Sequence, residues 1–535
     1  MARRLSPWFA AVAAVSMHAA IAQPTSERYQ LDRLVPASVF HGVHGLAFDA
    51  QDVLYAGSVV GHSIYRVDTA TGAVKSFVGA PEGMADDLVF LADGTVVWTS
   101  IQHGVVRARK GNGPITKLAD LVSVNSINVR KDGRLFAAQV FGGDGLWEVD
   151  PAGVKPPRLI LQDLGGSNGF DIGPDGKLYG PLWFKHQVVR IDPDSGKLDV
   201  VADGFDTPAA ANFDSRWNLY VLDTARGEVV RVDIRSGKKQ VVAKLATALD
   251  NLAIDSRDRL FVSNMADNGI QEVDVAKGTA RQVVKGALAI PLGIAAVADG
   301  TRDTLYVADV FALRTIDAAG KVTDVARSHA AGTTIGYPVA VTANQRYVIV
   351  TNNEGPLQRY ERSTMRLVQT WRDTHAGNAI EMPSGAVIVA ETTRGKLSRI
   401  VSSGEGEQRA EIIADLAAPL GLAIAGDSAV YVSEMAAGRV SRVDVSNGAR
   451  RVIAQGLDRP QGIATDGTAV LVVEAGKGRL VRVDPGNGAV EVIASGLPIG
   501  LANVPITLAG VAVGAGGTIY VTSDVENSIW RLRKK

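Results

Sequence analysis

HGVHGLAFDAQDVLYAGSVVGHSIYRVD, residues His41 to Asp68, decides the architecture. A small turn leads into an apolar strand, GLAFD. A polar pair separates it from a second strand, VLYAG, and another turn precedes a third, IYRVD. Variants of this unit recur to the end of the chain. Aligned on the Leu46 position they fall at Leu46, Leu88, Ile127, Phe170, Ala211, Leu252, Ile294, Val339, Ala379, Leu422, Ile463 and Val511, with spacings of 42, 39, 43, 41, 41, 42, 45, 40, 43, 41 and 48 residues. A period near forty, with three apolar strands and a weaker fourth such as AVKSFVG (73–79), is that of β-propeller blades. Parallel solenoids repeat at shorter intervals, and helical repeats require apolar residues at 3.6 spacing, which the units lack.

One ring of twelve blades would leave a very wide central hole, whereas propellers ordinarily have four to eight. The sequence therefore predicts an all-β fold of two tandem six-bladed propellers, twelve four-stranded blades in all. The last unit stops at its third strand, IWRLRKK, while Tyr29 to Val35 forms a spare strand ahead of the first unit. The expectation is that the spare strand closes the first ring against the sixth unit. That would free the sixth unit's trailing strand, Ala280 to Lys285, to close the second ring against the twelfth. Neither sheet would then carry an open edge. The domains expected are residues 23–277 and 278–535, with the boundary near Gly278 and the rings closely packed, since no Pro/Ser-rich linker separates them.

Residues 1–22, MARRLSPWFAAVAAVSMHAAIA, combine a basic start, an apolar run and Ala20-Ile21-Ala22, the pattern of a secretory signal peptide. The expected location is periplasmic or secreted. No later stretch is apolar enough for a membrane span. Lysine plus arginine and aspartate plus glutamate number 56 each, with no basic stripe, which argues against nucleic acid as a partner. The absence of cysteine excludes thiolate metal sites and cysteine nucleophiles, and leaves an exported chain to hold together by core packing.

The two rings serve as controls for each other. The residue two before each Leu46 position should face the mouth of the central channel. In the first ring these residues are His44, Asp86, Asn125, Asn168, Ala209 and Asp250; in the second, Leu292, Tyr337, Gly377, Leu420, Gln461 and Ala509. In the turn before the third strand the first ring has His62, His103, Asp144, His186, Gly227 and Asn268, against Phe311, Gly355, Gly395, Gly438, Gly478 and Asn527. Taken singly, a turn histidine is ordinarily solvated surface, and Asn or Asp at a strand start ordinarily caps a turn. The shared register, present in one ring and missing from the other, favours a site. Carboxylate and amide oxygens suit a hard divalent cation such as Ca²⁺; with imidazole ligands, Zn²⁺ or Mn²⁺ would fit. Rim histidines, His103 and His186 ahead of His62 and His44, are candidate general bases. His41, His329 and His375 read as surface. Asp223, Asp309, Glu391, Glu434 and Glu474, which end second strands, read as ion-pair partners of third-strand donors, Glu434 with Arg442 and Glu474 with Arg482.

Three local patterns resemble the six-bladed superfamily of gluconolactonases, senescence marker protein and paraoxonases: Ala85-Asp86-Asp87-Leu88; Ser167-Asn168-Gly169-Phe170 followed by Gly173-Pro174-Asp175-Gly176-Lys177-Leu178-Tyr179; and Leu249-Asp250-Asn251-Leu252-Ala253-Ile254-Asp255. The resemblance implies that Asp86, Asn168 and Asp250 ligate a catalytic divalent cation, usually Ca²⁺, with Asn251 as a further ligand. Where that family has a first-blade Glu, this chain has His44. The second half, with PLGLAIAG (419–426) and PQGIATDG (460–467), is more similar to the repeats of NHL proteins and streptogramin lyases. Together these readings imply an exported metal-dependent hydrolase of a lactone or related ester. The alternatives are a non-catalytic exported protein that binds a protein or carbohydrate, with the second propeller as the docking face, and a lyase that opens a cyclic ester.

Overall fold

The computed structural model describes residues 23–353, 355–372, 374–403, 406–501 and 508–535. The expected signal peptide, 1–22, lies outside the described residues. Twelve four-stranded antiparallel sheets follow one another as the blades of two six-bladed propellers. The first inner strand, Val43–Phe48, lies beside that of blade six, Leu249–Ile254, and Pro291–Asp299 of blade seven lies beside Val511–Val513 of blade twelve. Among the described residues no helix is long and apolar enough to cross a membrane.

Burial explains the sequence pattern. Second strands such as Leu54–Ser58 and Leu260–Asn264 are buried at every residue because neighbouring blades cover both faces. Fourth strands such as Val74–Val78 are largely solvated, which is why they read weakly. Inner strands crowd at the channel: a Cβ on Gly421 or Gly462 would come within 2.3 or 2.5 Å of the next blade's backbone. Glycine there is a packing requirement.

The closure differs from the expectation. Residues Tyr29–Val35 pair antiparallel with the last strand, from Tyr29 opposite Lys534 to Val35 opposite Ile529, so the spare strand closes the second ring. Blade six keeps its own fourth strand, Thr279–Val284. Gly278 sits in the turn before that strand, and the chain crosses between the rings only after it. Either arrangement leaves no open edge; the one adopted keeps Thr279–Val284 in a local hairpin with the strand just before it, Gly269–Asp274, and leaves the N-terminal strand to complete blade twelve. The first ring closes through side chains instead: Asp52 of blade one accepts from the backbone N–H of Ser256 at 3.0 Å and from its hydroxyl at 2.6 Å.

The rings meet mouth to mouth. Val60, Ala248, Met265 and Ala266 of the first pack with Ile290, Leu292, Phe311 and Leu420 of the second in one apolar cluster. Arg327 donates to Thr247 O across the seam at 2.7 Å, and Asn268 and Asn527, equivalent turn residues of blades six and twelve, both donate to Phe40 O.

Candidate functional site

Three of the mouth residues, His44, Asn125 and Asp250, lie at a repeated irregularity, while Asp86 and Asn168 precede inner strands that show no such shift. In blade one, Val43 pairs with Ser58 but Leu46 with Ala56; in blade six, Leu249 pairs with Asn264 but Leu252 with Val262. The extra residue breaks the ladder and frees the side chain before it, His44 or Asp250, to leave the sheet. Similar shifts occur at Leu292, Leu420 and Gln461 in the second ring. The backbone device is therefore common to both rings, and the side chains it presents differ.

In the first ring, four of the candidates come together. His44 Nδ1 lies 3.1 Å from Asp250 Oδ2 and 3.8 Å from Asp86 Oδ1, and the Asn125 amide donates to Asp86. The Asn125 residue is 5 % exposed, and its Oδ1 has no partner; His44 Nε2 is also buried without one. Burial, with the neighbouring charges of Asp250 and Asp87, pushes the Asp86 carboxyl well above the ordinary range despite His44. Burial works against a charged His44, but the charges of Asp250 and Asp86 and the hydrogen bond to Asp250 outweigh it and raise the imidazole. No Lys or Arg pairs with either carboxylate among the described residues.

One layer deeper, Asp87 spans the channel. It accepts from Asn251 Nδ2 at 3.2 Å and from Ile127 N at 3.1 Å, and burial raises its carboxyl to about 7. Asn251, whose Oδ1 also accepts from Leu252 N at 2.7 Å, thus has both ends of its amide engaged. Half-buried Asn168 occupies the mouth register, and its Oδ1 accepts from Gly169 N at 2.8 Å. Among the described residues no three His, Cys, Asp or Glu side chains form a metal cage by themselves. A hard cation would have to draw on Asp86, Asp250 and the unpartnered Asn125 oxygen, a donor set of the right chemistry.

The rim histidines behave differently from one another. His62 and His186 have positive φ, 48° and 60°, and occupy the left-handed turn position that glycine fills elsewhere, as Gly104 does at 62° in blade two. His103 therefore stands one residue earlier in its turn than His62 does. His62 is buried with both ring nitrogens unpartnered, packed edge-on against His103 at 5.2 Å. His103 lies beside Arg107, and exposed His186 contacts Asp206 O. The rim histidines contact one another, Arg107 and Asp206, whereas His44 is the imidazole that sits between Asp86 and Asp250.

Two surface expectations fail. His41 is 8 % exposed and shares a hydrogen bond with Asp524 O at 2.9 Å. His329 is half-buried between Trp183 and Tyr337, with ring centroids 5.4 Å from each. His375 is exposed. The strand-end acids are ion-paired, but to the residue directly across the hairpin: Glu434 with Arg439 at 2.6 Å and Glu474 with Arg479. Arg482 pairs with Asp466.

Sequence reasoning missed the second ring's share of this mouth. Phe311 packs edge-on against His44 at 5.9 Å and against Tyr337 at 5.9 Å, and His329 Nε2 lies 2.9 Å from the Tyr337 hydroxyl. Burial, together with the charges of Asp250 and Asp86, raises Tyr337 to about 12, and burial lowers His329. The available signals were two aromatics, Phe311 and Tyr337, at register positions otherwise filled by residues such as Gly, Leu and Ala, and a 45-residue spacing before Val339.

No protein-family model and no curated protein matches the sequence. Among solved structures, the extracellular domain of the putative hybrid two component system BT4673 from B. thetaiotaomicron superposes with a TM-score of 0.35 at 10 % identity, covering 95 % of this chain and 83 % of that one. The extracellular domain described as a putative one component system BT4673 gives 0.33 at 9 % identity over the same shares. At these TM-scores neither likeness brings a function to this chain.

Proposed function

We propose that the protein is an exported hydrolase of a lactone or related ester, with a divalent cation, Ca²⁺ by preference, held at the mouth of the first ring. The observation that carries the reading is the crowding of Asp86 and Asp250 around one imidazole, with no Lys or Arg partner among the described residues and with the buried Asn125 oxygen left unpaired. Two neighbouring carboxylates repel unless a proton or a cation lies between them. Asp86, Asp250 and Asn125 Oδ1 would hold the ion, with Asn168 at the edge. A cation bound there supplies Lewis acidity toward a carbonyl oxygen. His44, oriented by Asp250 through Nδ1, has a buried and unpartnered Nε2, which would take a proton from a water admitted with the substrate. This role passes to His44 from His103 and His186, whose known contacts are with Arg107 and Asp206.

Asp250→Ala should lose both the bound ion and turnover of lactones and aryl esters, the rate falling about a thousandfold. Wild-type protein that is metal-free when purified, with melting indifferent to chelator, would sink the reading. A non-catalytic binding role has one specific observation in its favour: Phe141 and Phe184 are 59 % and 54 % exposed on the same rim. Products decide between hydrolysis and the lyase alternative, since only hydrolysis adds water.

A further inference from the structure

The second ring does more than pack against the first. The segment from Ser328 to Tyr337, which links Val322–Arg327 to the inner strand Pro338–Ala343, reaches over the first ring. Ala331 N donates to Ala225 O of blade five at 2.9 Å, and His329 meets Trp183 of blade four. A cavity of about 420 Å³ lies on this seam, lined on one side by Asp206, Thr207 and Ala225 and on the other by the reaching segment, with His329 and Tyr337 in its wall.

The rings form an unbroken series of edge-on contacts. Phe184 and Phe141 are 6.1 Å apart at the exposed rim, and Phe141 to Trp183 is 6.4 Å. Trp183 to His329 and His329 to Tyr337 are each 5.4 Å, and Tyr337 to Phe311 and Phe311 to His44 are each 5.9 Å. The series begins in solvent and ends at the imidazole bonded to Asp250. Its middle members come from the second ring and its ends from the first.

We propose that the second ring completes the first ring's site: Tyr337 and His329 in the cavity wall, with Trp183 edge-on against His329, form a substrate-binding wall that selects an ester carrying a flat apolar group. This rests on the hydrolase reading for the word ester, but the wall itself does not. The Tyr337 hydroxyl and the His329 imidazole hold each other in place, and both lie within electrostatic reach of Asp250, so that an aryl group against the ring faces would direct its carbonyl from the cavity toward the carboxylate pair. The second ring's own mouth cannot serve as such a site, because Leu292, Leu420 and Ala509 fill it with buried apolar side chains.

The test uses the full chain with Tyr337→Phe, His329→Gln and Trp183→Leu, and Asp250→Ala as the control on the cation. Phe311 is left alone because it belongs to the core between the rings. Calorimetric titration with Ca²⁺ reads the carboxylate pair; steady-state kinetics on phenyl acetate and γ-butyrolactone read the wall. The three variants should keep wild-type Ca²⁺ affinity within about twofold while KM for phenyl acetate rises about tenfold, with kcat and the γ-butyrolactone KM changing far less. Unchanged phenyl acetate KM in all three overturns the wall and leaves the cation standing. If wild-type protein binds no Ca²⁺ and hydrolyses neither ester, the hydrolase reading has failed, and saturation-transfer NMR with phenyl acetate decides the wall. Signal in wild type that is lost in Trp183→Leu and Tyr337→Phe supports it. Signal absent in wild type, or equal in all, overturns it.

Discussion

The two channel mouths face each other, share a backbone irregularity in several blades, and hold opposite contents. In the first, the mouth side chains are His44, Asp86, Asn125, Asn168 and Asp250; in the second, Leu292, Leu420 and Ala509 are buried, and Gln461 turns its oxygen to Ala509 N at 2.7 Å. One mouth keeps polar groups poorly satisfied, at a cost in stability, and its twin is a plug. The two halves thus differ where they meet: one mouth is packed as a core, the other is polar, and Phe311 of the packed half lies edge-on against His44 of the polar one, with Tyr337 and His329 next to it.

The largest way to break the comparison is to open the ring that depends on a borrowed strand. Deleting residues 24–36 removes the partner of the last strand and takes Tyr29, Leu34 and Val35 out of their cores. The second ring should then melt separately and early in calorimetry, while the first, closed by Asp52 and Ser256, keeps a cooperative transition. A single transition moved as a whole would mean that the rings cannot fold apart. Next in size, Leu420→Asp puts an unpaired carboxylate into the plug and should cost about 3–5 kcal/mol of stability in denaturant titration. The same side chain is tolerated in the first ring, where Asp250 has His44 as partner and is partly exposed.

The smallest effect sharpens the contrast between rim turns. His62 occupies a left-handed turn position with a buried ring, and burial, with the nearby charges of His103 and Arg107, lowers its pKa. A histidine depressed in the folded state stabilises fully above the unfolded value of about 6.5, and that stability is lost as pH falls below it. His62→Asn, which tolerates the positive φ, should narrow the difference in melting temperature between pH 7 and pH 5 by about 2 °C or less. An unchanged difference would place the titration elsewhere.

The period of forty and the division into two rings were legible because each blade repeats the same burial pattern. The mouth register was legible too, because each blade starts its inner strand at the same place in the repeat, and it gathered Asp86, Asp250, Asn125 and His44. Strand closure was not, since either of two strands could satisfy an open edge and only the three-dimensional path chooses between them. The second ring's contribution was hidden for a related reason: nothing in a linear comparison of rings says that their mouths face each other. In the linear register Tyr337 stands in an otherwise mostly apolar set; packing sets it against Phe311 and His329, within electrostatic reach of Asp250. The partners of Glu434 and Glu474 were misassigned because cross-strand register, not the nearest familiar motif, decides who sits opposite.

The most direct measurement is the Ca²⁺ stoichiometry and affinity of full-length protein beside Asp250→Ala, by calorimetry after chelator treatment. The account expects one ion per chain in the wild type and none in the variant. No binding in either, or equal binding in both, would contradict it.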